Sequence, residues 1–229
     1  MNSNQKKSMI LVCVLVVLMA MTGTHVLGRY LLNYSSAAFN EGLTGGSSLS
    51  GAMAQSTSIE TCVIQGAGYY FKAYSYSLLM ANEIELSDLE GVNFVELRSF
   101  INQAIDNMEL ACDTYIDLVN KANSTSYNSA WINQLMNFDY GAFKAENGLN
   151  EAVFSDVQYF LSNGNVRGVY VETETRFETI LEDLYDIKAG MDGNSLPANS
   201  TIWRLNQKFL ESMLFGQYVA EVFYQIVES

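Results

Sequence analysis

From Phe94 onward, apolar residues return every three or four positions: Phe94, Leu97, Ile101, Ile105, Met108, Cys112, Tyr115 and Val119. That spacing predicts one buried stripe along a helix. The preceding "SDLE", Ser87 to Glu90, has the form of a capping box, in which serine and glutamate each satisfy an orphan backbone donor, so the helix is expected to start there and end near Asn123. A second stripe, Tyr170, Phe177, Ile180, Leu184 and Ile187, predicts a helix over 166–189 that Gly190 stops. A third opens at Pro197, a good first-turn residue. It carries Ile202, Leu205, Phe209, Met213, Gly216, Val219, Phe223 and Ile226 almost to the C-terminus. Between these, 128–144 and 150–161 read as short helices, parted by "ENG" at 146–148 and closed by "NGN" at 163–165.

The stretch "TCVIQGAGYYFKAYSYSLLM", Thr61 to Met80, is dense in aromatics. No turn signal interrupts residues 56–84, so it reads as a helix with an unusually wide apolar arc. Ile59, Val63, Gly66, Tyr70, Ala73 and Ser77 fall on one face, and Ile64, Ala67, Phe71, Tyr74 and Leu78 on the next. Gly66 and Gly68 each cost roughly 1 kcal/mol against alanine in a helix interior, which predicts a neighbouring backbone drawn close. Tyr69, Lys72 and Tyr76 lie on the remaining side and form a candidate contact surface, since tyrosine joins an apolar ring to a polar tip. The fold class that follows is all-α. Its natural architecture is an antiparallel bundle of about four long amphipathic helices with one or two short connecting helices, in one domain over 57–229.

The N-terminus is organised differently. Lys6 and Lys7 precede the apolar run Met9–Met21, and Val26 and Gly28 are placed as small residues before a cut. Residues 1–28 are therefore expected to be a signal peptide, or else a retained single anchor. Residues 29–56, rich in Ser, Gly, Ala and Asn, read as a flexible leader. The protein is thus expected to be exported, periplasmic or secreted; the alternative is a single-pass anchored protein.

Charge narrows the partners. The 229-residue chain carries a formal net charge of −13. Removing 1–28 takes away two lysines and no acid, which leaves 10 basic against 25 acidic residues, net −15. Such a body suits a cation or a basic protein, and does not suit nucleic acid or an anionic membrane surface. Glu174, Glu178, Glu182 and Asp186 recur every four residues, a candidate acidic face for a cation or a basic partner.

The chemistry is limited by what is missing. The chain's one histidine, His25, lies in the segment expected to be cleaved. That leaves no Ser-His-Asp triad, no Cys-His pair and no Glu-x-x-His ligand set for a di-metal bundle, so no catalytic residue, metal or cofactor is assigned. An enzyme here would have to work with carboxylates and tyrosines alone. Cys62 and Cys112 lie at nearly equal heights if the chain turns at 85–87, which predicts a disulfide between them in an oxidising compartment. Asn33, Asn123 and Asn199 sit in glycan-acceptor sequons expected in loops. Trp131 and Trp203 are expected to pack. The leading functional expectation is a non-enzymatic module acting through a protein partner or self-assembly. The alternative is a small-ligand binding protein with its pocket near Tyr69, Tyr76 and Trp131.

Overall fold

The first helix, α1 (Ile59–Glu90), runs straight through the expected capping box. It ends where Gly91 takes a left-handed conformation, φ +88°, which glycine adopts without a Cβ penalty. The cap that starts the next helix, α2 (Phe94–Asn123), is Asn93. Its side-chain oxygen accepts from the Glu96 amide at 3.2 Å, and its side-chain amide donates to the Glu96 carboxylate at 2.9 Å. The reciprocal cap is therefore Asn-x-x-Glu, six residues beyond the Ser-x-x-Glu that sequence favoured.

The computed structural model describes residues 59–127 and 129–228, all within the unit Ser56–Ser229. The expectations for segments 1–28 and 29–56, with Asn33, lie outside the described residues. Among the described residues the regular structure is entirely helical: after α1 and α2 come α3 (Ser129–Met136), α4 (Tyr140–Asn147), α5 (Glu151–Leu161), α6 (Val166–Asp192) and α7 (Asn199–Glu228). Asp139, Asn150 and Asn165 cap α4, α5 and α6 by accepting from the backbone amide three residues on. The weak 128–144 segment is two helices rather than one because Asp139 starts a new one.

Contacts between the long helices run in opposite senses. Gly66 of α1 meets the Tyr115 ring of α2. Along α2, Arg98 donates to the Met191 carbonyl at 2.9 Å, Glu109 accepts from Tyr185, and the Tyr115 ring lies 4.7 Å from Phe177. Between α6 and α7, Asp183 pairs with Lys208 at 2.6 Å and Arg176 lies over the Phe215 ring at 4.8 Å. Tyr70 of α1 donates to the Phe209 carbonyl of α7, and Ser77 donates to Asn206 Oδ1 at 2.9 Å.

The core has two parts. One lies among α1, α2, α6 and the first half of α7, with Met80, Leu97, Ile101, Met108, Ile180 and Phe209 fully buried. The other gathers Leu135, Phe143, Phe154, Leu161, Phe215 and Val222 from α3, α4, α5 and the second half of α7. Each such side chain contributes roughly 1.5–3 kcal/mol through burial. Half-buried Tyr170 packs against both.

The two-part core changes the reading of α7. Its buried line is Ile202, Leu205 and Phe209, then Ser212, Phe215 and Tyr218, then Val219, Val222 and Ile226. Three successive three-residue steps from 209 to 218 each fall about 60° short of a full turn, so the line swings around the helix. Met213 is half-buried and Gly216 exposed, although the four-residue spacing placed both in the core.

Candidate interaction surfaces

The register of α1 on α2 decides the cysteine question. A Cβ on Gly66 would lie 2.6 Å from Tyr115 Cε2, so these two positions face one another. Cys62 lies four residues before Gly66 and Cys112 three before Tyr115. In helices running oppositely those displacements add to about seven residues, or ~10 Å of rise. That exceeds the Cα separation of about 7 Å a disulfide can span. Accordingly Cys62 and Cys112 are both buried free thiols, and the expected disulfide is corrected. The error came from placing the turn at 85–87 instead of 91–93. Burial first, then Glu178, Glu174 and Asp113, push the Cys112 thiol up to about 12, so it is protonated at neutral pH.

Tyr69 and Tyr76 are half-buried and pack against the first core. Lys72 is exposed, with Nζ 5.7 Å from the Tyr69 ring centroid. Trp131 belongs to the second core, stacked on Tyr127 and tilted against Phe223 at 5.2 Å. These aromatics therefore do not converge on one pocket. Trp203, expected to pack, is 69% exposed. Among the described residues nothing lies within 4 Å of a Cβ built on Gly68, and at Gly66 the close neighbour is the Tyr115 ring rather than the backbone expected at both glycines. Asn123 and Asn199 are exposed, at the last residue of α2 and the first of α7, rather than in open loops.

The acidic face is wider than its sequence signal. On α6, Glu178, Glu182 and Asp186 are exposed and Glu174 is half-buried. Desolvation, then the charge and hydrogen bond of Glu178, raise the Glu174 carboxyl above its usual range. Asp106, Glu109 and Asp113 of α2 border the same strip. Glu109 accepts from Tyr185, Asp106 acts electrostatically on Tyr185, and Asp113 acts on Cys112 together with Glu174 and Glu178. The α2 half was missed although Asp106, Glu109, Asp113 and Asp117 recur at three- and four-residue steps on the polar side of its stripe.

Basic side chains near the strip are engaged elsewhere. Arg176 pairs with Asp156 and Glu172, at 2.5 and 2.8 Å, and Lys188 pairs with Asp192 at 2.8 Å. Among the described residues no three carboxylate or cysteine groups converge closely enough to hold a metal ion. The seam is thus a row of charges with no chelating centre. Nor is any helix among the described residues long and apolar enough to cross a membrane.

A shallow cleft of about 320 Å³ lies where α6 turns into α7, lined by Asp186, Ile187, Leu196, Pro197, Thr201 and Arg204 among others. Asp186 and Arg204 give its wall one acidic and one basic side chain. No known protein family, curated protein or solved structure matches the chain.

Proposed function

We propose that this protein is an exported, non-enzymatic interaction module built on an antiparallel bundle of α1, α2, α6 and α7, with α3, α4 and α5 as a connecting cap. Its acidic α2–α6 seam docks a basic protein partner. The observation that carries this reading is the convergence of acids from two helices on one face, at Glu109 and Tyr185 and around Cys112. Like charges at such spacing cost a few tenths of a kcal/mol each, and a basic partner removes that cost on binding. Long-range steering by the net −13 chain adds to the association rate.

The reading is tested by titrating the full chain with a lysine-rich peptide and with its glutamine-substituted control. Binding should be confined to the cationic peptide and should weaken as salt shortens the screening length. Glu174→Gln combined with Glu178→Gln and Glu182→Gln should weaken it about tenfold or more. Glu83→Gln with Glu85→Gln and Glu146→Gln, an equal change in net charge elsewhere, should weaken it far less. Equal losses from the two triple variants would reduce the interaction to net charge and remove the seam. Export is supported by the form of residues 1–28 and is tested by N-terminal sequencing of protein recovered outside the cytoplasm.

A further inference from the structure

The acidic row of α6 does not stay on one side of its helix. Each four-residue step overshoots a full turn by about 40°, so from Glu174 to Asp186 the row swings about 120° around α6. Glu174 and Glu178 act on Cys112 of α2, whereas Asp186 lines the cleft where α6 turns into α7. Asp186 therefore belongs to the junction with α7, apart from the seam.

That junction holds an acid of α6 and a base of α7 twice. Asp183 and Lys208 meet at 2.6 Å. About one turn nearer the connection, Asp186 and Arg204 both line the cleft, yet neither makes an ion pair or a side-chain hydrogen bond with any described residue. The two charges share about 320 Å³ of open space instead of closing it. In a chain of net charge −13, an arginine without a carboxylate keeps its planar fork free to take one through two parallel bonds. Ser195 and Thr201 add hydroxyls that make no side-chain hydrogen bond, and buried Ile187 with half-buried Leu196 supplies apolar wall. The connection itself is tied down. The Ser195 amide donates to the Gly190 carbonyl at 3.0 Å, and Arg98 reaches from α2 to the Met191 carbonyl at 2.9 Å and to Asn194 Oδ1 at 2.7 Å. Little ordering of this segment then opposes binding.

We propose that this cleft binds a small zwitterion, a free α-amino acid with an apolar side chain. Arg204 takes the carboxylate, Asp186 takes the ammonium, and Ile187 with Leu196 receives the side chain. A bare anion would be repelled by Asp186 and a bare cation by Arg204. A large cofactor does not suit a volume at the low end of the roughly 300–1,000 Å³ of small-molecule sites. Both charges are exposed and therefore screened by water, which sets the expected Kd at about 1 mM.

The test is a titration of the full chain with L-leucine, followed by two-dimensional NMR of the backbone amides. Signals of Asp186, Ser195, Leu196, Thr201 and Arg204 should shift together and saturate with a Kd of about 1 mM. Leucinamide, which lacks the carboxylate, and N-acetylleucine, which lacks the ammonium, should each bind about tenfold more weakly or worse. Arg204→Gln and Asp186→Asn should each weaken leucine binding about fivefold or more. Both side chains are exposed and unpaired, so the melting of the variants should match the wild type. The absence of a saturable shift up to about 20 mM leucine overturns the proposal. So does a titration that both analogues, or both variants, reproduce unchanged. The triple variant of Glu174, Glu178 and Glu182 should retain leucine binding, and Arg204→Gln should retain peptide binding, so either reading can fail alone.

Discussion

The Tyr115 ring occupies the space where a side chain on Gly66 would begin, with Cε2 2.6 Å from the position of a Cβ. Two residues on, Gly68 faces open space. The same substitution should therefore have opposite signs at the two sites. Gly66→Ala should destabilise the fold by about 1–3 kcal/mol through forced displacement of a buried ring, partly offset by helix propensity. Gly68→Ala should stabilise it by about 0.5–1 kcal/mol. Urea unfolding of the pair measures both.

The buried hydroxyl of Tyr70 offers a second check. It donates to the Phe209 carbonyl between α1 and α7, while its ring stacks on Phe177 with centroids 4.7 Å apart. Tyr70→Phe keeps the ring and removes the donor, so a loss of about 1–2 kcal/mol is expected. Tyr70→Ala should cost about 3–5 kcal/mol, because the cavity adds to it. Near-equal effects would mean that the ring contributes little.

Without reductant, Cys62 and Cys112 should both be protected from iodoacetamide in the folded protein at pH 8, and both alkylated in full once it is unfolded. Burial accounts for the access, and a Cys112 thiol near 12 for the lack of thiolate. A peptide pair lighter by two hydrogens that resists alkylation in denaturant would restore the disulfide and require a different α1–α2 register.

Glu174 gives the pH dependence. Desolvation first, then Glu178, raise its folded carboxyl above the unfolded value. The folded state therefore holds this proton more tightly, and its contribution becomes more favourable as pH falls through the folded pKa. At neutral pH the ionised group is a small net cost. Glu174→Gln should accordingly stabilise by a few tenths of a kcal/mol at pH 7, an effect limited by solvent exposure. The gain should disappear below the unfolded carboxylate range, around pH 4. A destabilised variant at pH 7 would show that the carboxylate has a favourable partner.

Helix class and the long stripes were legible because apolar periodicity records burial directly, as at Leu97, Ile101 and Met108 or Ile180, Leu184 and Ile187. The α1–α2 turn was misplaced because serine and asparagine cap by the same chemistry, and only tertiary packing chose Asn93. The α7 stripe kept Val219 and Ile226 in the core but placed Met213 and Gly216 there too, because a helix that serves two cores in succession carries two lines, and spacing alone does not say where one hands over to the other. The acidic seam was half legible: four-residue spacing displays one helix, and the α2 acids join it through packing, at the Glu109–Tyr185 contact and around Cys112. The cysteine pairing failed with the turn, since six residues of misplacement is ample to move the heights apart.

Hydrogen–deuterium exchange of the full chain, with and without the lysine-rich peptide, tests the docking account most directly. Slowed exchange in segments covering 106–113 and 174–186, with 61–82 unchanged, is the predicted result. Protection confined to 61–82 and 210–220, or equal slowing over every acidic segment, would contradict it.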